Sequence, residues 1–238
     1  MNIFSHSGDI GDIIYSLPTI RAKGGGKLIL FDCPGKTAHG MTKEKVERLR
    51  SLLEYQDYIH ALEWSDTLIE SSLNGFRDQI RDHGSLADAH LATHGFSWEE
   101  RAKPWLKCDG STTTYDVVVH RSFRYNNKNF PWGRIVDTYK DRMGFVGFPD
   151  EYKKFTDSFG KIPFIEANDF MELAKVIKGC KLYIGNQSSP LSIALGMFHN
   201  CIIEVCPDHN HHHCIFQRMN CIIGWDKKII LPDLESLC

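Results

Sequence analysis

The sequence predicts an α/β protein made of two Rossmann-like domains facing each other across a cleft. Three observations predict it. Residues 2–31 read as strand, glycine turn, helix and strand. From residue 116 strands and helices alternate with short loops. Between the two lies a polar stretch, 107–114, rich in Ser, Thr and Gly.

Asn2 to His6 is a short strand candidate, followed by the small-residue turn Ser7-Gly8-Asp9-Ile10-Gly11. From Asp12 the apolar residues Ile13, Ile14, Leu17 and Ile20 recur at helical spacing, and Gly24-Gly25-Gly26 stops that helix. Lys27 to Phe31 reads as a second strand, parallel to the first because a helix connects them, and Asp32 to Gly40 as a loop. Lys43 to Tyr55 suits a helix with one heavily charged face. In 57–114 the pattern is weaker, with breaks at His83-Gly84 and His94-Gly95 and a helical reading between them. In the second half, strands are expected at 116–120, 161–165, 181–184 and 201–205, and helices at 132–143, 169–178 and 189–198. The domains implied are 1–114 and 115–238.

The whole-chain numbers fit this reading. The 238 residues carry a formal charge of −2, so no global positive field draws the chain to nucleic acid or an anionic membrane. Apolar content is 42% and charged content 24%, ordinary for a packed globular protein. The first residues carry no basic leader, and no apolar run approaches the roughly 20 residues a membrane helix needs. A cytoplasmic location and reduced thiols at the eight scattered cysteines are therefore expected. The sequon Asn186-Gln187-Ser188 would then go unused.

Four segments carry chemical potential. Gly11-Asp12 opens the first helix, where free N–H groups and the helix dipole hold a carboxylate. Asp12 there is placed to accept a proton from a hydroxyl, or only to cap the helix, and Asp9 competes for either role. Gly185-Asn186-Gln187-Ser188-Ser189-Pro190 joins a strand to a helix and is a plausible phosphate cradle, although it lacks the Gly-Lys-Ser/Thr of a Walker loop. His120 to Trp132 interleaves Arg121, Arg124 and Lys128 with Phe123, Tyr125, Phe130 and Trp132. Such a loop fits a pyrophosphate and a stacked base, fits single-stranded nucleic acid, or tucks its aromatics into the core. Cys201, Cys206, His209, His211, His212, His213 and Cys214 are dense enough for zinc, but the spacing matches no standard finger. The expectation is no metal, with the His-rich loop lining the cleft.

Three of these stretches, in order, resemble the ADP-heptose:lipopolysaccharide heptosyltransferase family. Gly11-Asp12-Ile13-Ile14-Tyr15-Ser16-Leu17-Pro18 resembles its N-terminal Gly-Asp…Leu-Pro motif. His120 to Pro131, with Lys128-Asn129-Phe130-Pro131, resembles the strand and loop opening its C-terminal domain. Lys181 to Leu191 resembles its donor-binding loop. The resemblance covers the first ~30 residues and most of the second half, each motif being moderately specific; residues 40–114 show no clear match.

The resemblance implies a GT-B-type glycosyltransferase fold: an N-terminal acceptor-side domain and a C-terminal nucleotide-sugar-binding domain. It implies sugar transfer from a nucleotide-diphosphate donor to an acceptor hydroxyl, inverting and metal-independent, with no cofactor beyond the donor substrate. By position, Asp12 resembles the catalytic base, and Gly11, Lys128, Asn186, Gln187, Ser188 and Ser189 fall at donor-binding positions. The absence of any Asp-x-Asp pair agrees with metal independence. Gln187 stands where the family usually has Asp, and Ser192 where it often has His, so the donor sugar stays open. A saccharide is the expected acceptor. Two alternatives stay open as well: a non-catalytic nucleotide-sugar-binding protein, and a transferase acting on a modified nucleic-acid base.

Overall fold

The computed structural model describes residues 1–34, 40–70, 72–79, 85–112, 115–207 and 218–237. The chain divides into two compact units. Among the described residues, one comprises 1–109 with 169–171, and the other 110–168, 172–207 and 218–237.

The first unit is built on a three-stranded parallel sheet, β1 (Asn2–His6), β2 (Gly26–Phe31) and β3 (Ile59–Ser65), in that order. Helix α1 (Ile10–Ala22) makes the crossover from β1 to β2. Every residue from Ile13 to Ile20 is buried, so this is a helix enclosed on all sides rather than an amphipathic surface one. That burial holds the helix together around Pro18, whose missing N–H costs about 3 kcal/mol in a helix interior. Gly24 and Gly25 end the crossover with φ of +83° and +75°.

Helix α2 (Lys43–Glu54) is capped by the Thr42 hydroxyl, which accepts from the Lys45 N–H, and buries Val46, Leu49, Leu52 and Leu53. The weakly patterned stretch after α2 contains β3, the short α3 (Phe76–Gln79), α4 (Leu86–Thr93) and a 3-10 turn at Trp98–Ala102. Helix α4 begins at the Ser85 cap, ends on His94, and so bears out the helical reading before His94-Gly95. The break expected at His83-Gly84 and part of the 107–114 stretch lie outside the described residues.

The second unit carries a six-stranded, all-parallel sheet in the order β6-β5-β4-β7-β8-β9. Its strands are β4 (Val117–His120), β5 (Met143–Val146), β6 (Phe164–Ile165), β7 (Leu182–Asn186), β8 (Cys201–Glu204) and β9 (Cys221–Gly224). Numbered within the unit this is 3-2-1-4-5-6, the dinucleotide-fold order, and the connection reverses between β4 and β7. All four residues of β4 are buried, as expected of a central strand covered on both faces. The helices are α5 (Trp132–Tyr139), α6 (Pro149–Phe159), α7 (Phe170–Gly179) and α8 (Ser189–Gly196). Trp132, Phe145 and Phe155 fill the core on the α5–α6 side; the Trp132 and Phe155 rings meet edge-on at 5.1 Å.

Two sequence expectations need correction here. The helix expected over 132–143 ends at Tyr139, and after a 3-10 turn at Lys140–Arg142 the chain enters β5 at Met143. The strand expected over 161–165 is only Phe164–Ile165. Among the described residues no helix is long and apolar enough to cross a membrane.

Candidate functional site

In the first unit, candidate chemistry collects where β1 hands over to α1. Asp9 is the N-cap residue but its side chain makes no capping bond, and Asp12 sits in the first turn. Asp12, the third residue of the helix, accepts from the Asp9 N–H, so it contributes to capping the helix start. Its carboxylate also pairs with Arg77, from α3, at 3.0 Å between Oδ2 and Nη2. With 18% of the side chain exposed, burial pushes the Asp12 carboxyl up to about 6, against the opposing pull of the Arg77 guanidinium. A carboxyl poised there is half-ionised just below neutrality, the range suited to a general base.

Behind Asp12 lies a buried layer of His6, Phe76 and His90. The Phe76 and His90 rings stack at 4.0 Å, and the His6 and His90 rings lie 5.4 Å apart. Burial lowers His6 to about 3 and His90 well below the ordinary imidazole range, so both rings are neutral at physiological pH. The Gly8 N–H donates to His6 Nδ1 at 2.7 Å, which places the ring proton on Nε2. Gly8 fills the gap between ring and carboxylate. A Cβ there would stand 2.4 Å from His6 Cε1 and 2.8 Å from Asp12 Oδ2. Gly11, one residue before Asp12, faces open space: a Cβ would meet nothing within 4 Å.

In the second unit, ligands of parallel sheets are expected at the carboxyl ends of the strands flanking the reversal, here His120–Ser122 after β4 and Asn186–Ser188 after β7. These two ends are tied together. Asn186 is fully buried; its Oδ1 accepts from the Ser122 N–H at 3.1 Å, and its Nδ2 donates to Ser122 Oγ at 3.1 Å and to the Arg124 carbonyl at 2.6 Å. Asn186 thus acts on this site by holding the 122–126 loop. Tyr125, in that loop, takes φ of +54°, a backbone strain of the kind that gathers at ligand sites.

Gln187 is also buried, and its Oε1 accepts from the Cys206 N–H at 3.3 Å. Ser188 is the N-cap of α8, Ser189 its first residue, and Pro190 follows in the first turn; both serines are half-buried. The Ser188 hydroxyl donates to the Asn186 carbonyl at 3.1 Å and accepts from no N–H of the helix. The N-terminus of α8 therefore lacks a side-chain cap, which suits it to an anion.

The 120–132 loop splits into a floor and a rim. Its floor is Glu204, the last residue of β8, with no exposed surface. The Glu204 carboxylate receives Arg121 Nε and Nη2, each at 2.9 Å, the Asn127 N–H at 2.7 Å and Trp132 Nε1 at 2.9 Å. Arg121 is thereby committed to a buried pair rather than offered to a pyrophosphate, and Phe130 and Trp132 join the core. The rim keeps Phe123, Arg124 and Lys128 exposed, and no described residue pairs with Lys128. His120 is buried and held near 4 by burial; its Nδ1 donates to the Val146 carbonyl at 2.9 Å.

Of the expected site residues, the structure brings together Asn186, Gln187, Ser188 and Ser189, with Lys128 on the loop that Asn186 and Glu204 anchor. Gly11 and Asp12 lie in the other unit. Sequence reasoning missed Arg77, Glu204, Asn127, Gly8 and His6. Among the described residues no cluster of three His, Cys, Asp or Glu side chains is arranged to hold a metal. His209 to Cys214 lie outside the described residues.

No protein-family model matches the chain, and no curated protein matches it. Solved structures do match. The glycosyl transferase family 9 protein from Veillonella parvula DSM 2008 superposes with a TM-score of 0.61 at 12% identity, over 98% of this chain and 88% of that one. The E. coli ADP-heptose LPS heptosyltransferase II superposes at 0.53 and 9% identity, over 94% and 90%. The E. coli heptosyltransferase WaaC with ADP superposes at 0.51 and 13% identity, over 93% and 92%. At such identities the likeness speaks for architecture: two Rossmann-like units, in the GT-B fold of these glycosyltransferases.

Proposed function

We propose that the protein is a glycosyltransferase that moves a sugar from a nucleotide-diphosphate donor to an acceptor hydroxyl. The observation that carries this reading is Asp12. A carboxylate in the first turn of a buried helix, partly desolvated and raised to about 6, is paired to a single arginine in a fold of glycosyltransferase type. In this reading Asp12 takes the proton from the acceptor hydroxyl, and the oxygen attacks the anomeric carbon from the face opposite the leaving group, inverting it. The nucleotide diphosphate departs against the N-terminus of α8 at Ser188 and Ser189 and the Lys128 ammonium, which stabilise charge as it develops. Residues 1–114 then serve the acceptor side and 115–238 the donor. No step in this scheme uses a metal.

A saccharide acceptor is favoured by the proteins the chain resembles, one of them an LPS heptosyltransferase. The donor sugar is set by Gln187 and its neighbours, where a neutral amide replaces the carboxylate of the heptosyltransferase motif. The deciding experiment is Asp12→Asn. It is expected to leave folding and nucleotide-diphosphate binding intact while lowering transfer by ~100-fold or more. Transfer at the wild-type rate would overturn the assignment. Binding of donor by both proteins with turnover by neither would identify a non-catalytic binding protein instead.

A further inference from the structure

Strands β8 and β9 place two free cysteines side by side. Cys201 and Cys221 are register partners in the parallel ladder, so their side chains leave the same face of the sheet. Adjacent strands run about 4.8 Å apart, inside the Cα window a disulfide requires. The Cys201 thiol donates to the His199 carbonyl at 3.2 Å. Cys201 is buried, whereas Cys221 is half-buried on the last strand of the sheet order. Cys221 also borders an open depression of about 540 Å³, with Arg218, Met219 and Ile223 among its described lining residues.

Arg218 donates to one of the two sulfurs. Its guanidinium is fixed by the Leu195 carbonyl at 2.8 Å and by the Phe198 ring, whose centroid lies 4.3 Å away. From there Nη2 donates to Cys221 Sγ at 3.4 Å. The adjacent Cys201 sulfur and, after it, the Arg218 guanidinium favour the Cys221 thiolate over the opposing effect of burial, and the Cys221 thiol is lowered to about 7. Burial pushes Cys201 the opposite way. The other titratable neighbours add no charge: His199 is lowered to about 4 by burial, and Cys180 is raised to about 12.

We propose that Cys221 and Cys201 form a peroxide-reactive dithiol, with Cys221 as the attacking sulfur and Cys201 as the resolving one. The Cys221 thiolate attacks one oxygen of hydrogen peroxide; the O–O bond breaks, hydroxide leaves and is protonated to water, and Cys221 becomes a sulfenic acid. The Cys201 sulfur then attacks the Cys221 sulfur, the S–O bond breaks, and the hydroxyl leaves with the Cys201 proton as a second water. Two thiols are oxidised to one disulfide, and one peroxide is reduced to two waters. The site is independent of the sugar-transfer reading.

The test treats the full-length protein with stoichiometric hydrogen peroxide, alkylates the remaining thiols and maps them by mass spectrometry. A disulfide joining the peptides of Cys201 and Cys221, reversed by dithiothreitol, is expected. In Cys201→Ser the sulfenic acid should persist at Cys221 and be captured by dimedone; in Cys221→Ser, Cys201 should stay reduced. On untreated wild type, alkylation of Cys221 should reach half its limiting rate near pH 7. Arg218→Met should slow it at that pH by about two- to threefold, through the lost thiolate fraction. Should Arg218→Met fail to fold, the wild-type pH profile and the peroxide map decide alone. Cys221 left reduced while Cys33 is oxidised, or an alkylation profile with no inflection near neutrality, would overturn the proposal.

Discussion

Arg77 Nη2 stands 3.0 Å from Asp12 Oδ2, joining residues 65 positions apart in the chain. The pair sets the proton affinity of the one carboxylate assigned as base. Burial raises it and Arg77 restrains the rise. Transfer should therefore show an acid limb with an apparent pKa near 6, activity increasing as pH rises through it. Arg77→Leu removes the restraining charge and should move that limb to higher pH. A limb at the ordinary carboxylate position in both proteins would detach Asp12 from the rate.

The same shift has a thermodynamic counterpart of opposite sign. A carboxyl whose folded pKa is raised favours the folded state most when protonated, so its contribution is present below the unfolded value and lost as pH climbs to about 6. Asp12→Asn cannot ionise. Relative to wild type its melting temperature should therefore rise between pH 4 and pH 7, as a thermal-melt series would show. A constant difference would mean that Asp12 titrates alike in both states.

Gly8→Ala should act on the same carboxylate sterically. Its new methyl would overlap His6 Cε1 and press on Asp12 Oδ2. Overpacking of this kind costs ~1–3 kcal/mol. Turnover should fall while affinity for the nucleotide diphosphate, read by calorimetry, is kept. Loss of both together would mark a general folding defect.

Glu204 is a structural carboxylate, which gathers Arg121, the Asn127 N–H and Trp132 on one side chain. Glu204→Ala should leave the half-buried Arg121 without its counterion and the Asn127 and Trp132 donors without their acceptor, and cost ~3 kcal/mol, visible as a lowered denaturation midpoint. Glu204→Gln keeps the volume and an acceptor oxygen for Asn127 or Trp132, and should cost clearly less than Glu204→Ala. Comparable losses from the two would show that the retained acceptor does not help to hold the loop.

Ser189→Asp tests the phosphate cradle. A carboxylate at the first turn of α8 favours the helix by ~0.3–1 kcal/mol but repels an anionic ligand. Folding should be intact or slightly improved and nucleotide-diphosphate affinity strongly reduced. Equal affinity by calorimetric titration would remove the donor from this helix end.

Much of this architecture can be read from local pattern. The β1–α1–β2 unit and the β7–α8–β8 unit announce themselves because buried apolar runs alternate with glycine, serine and proline turns. The β5 strand does not: Met143-Gly144-Phe145-Val146 is only four residues long and follows α5 through a 3-10 turn with no Gly or Pro to mark the change. Arg77 is invisible for a different reason, since no local spacing encodes an ion pair between α1 and α3. Glu204 did leave a signal. A single carboxylate in the run Cys201-Ile202-Ile203-Glu204-Val205 needs a buried cation or several donors, and Arg121 supplied the first. Cys201 and Cys206, on either side of it in the sequence, point to metal ligation and mask that cue.

The Asn186 amide has a consequence for how this molecule can change over generations. Because one side chain braces both the segment after β4 and the turn before α8, neither edge of the crevice can drift in sequence by itself. Substitutions at 122, 126 and 186 should be epistatic: each alone is harmful, and a matched pair is tolerated. Diversification toward new ligands would then proceed through the rim positions that this brace leaves untouched, Phe123 and Lys128 among them.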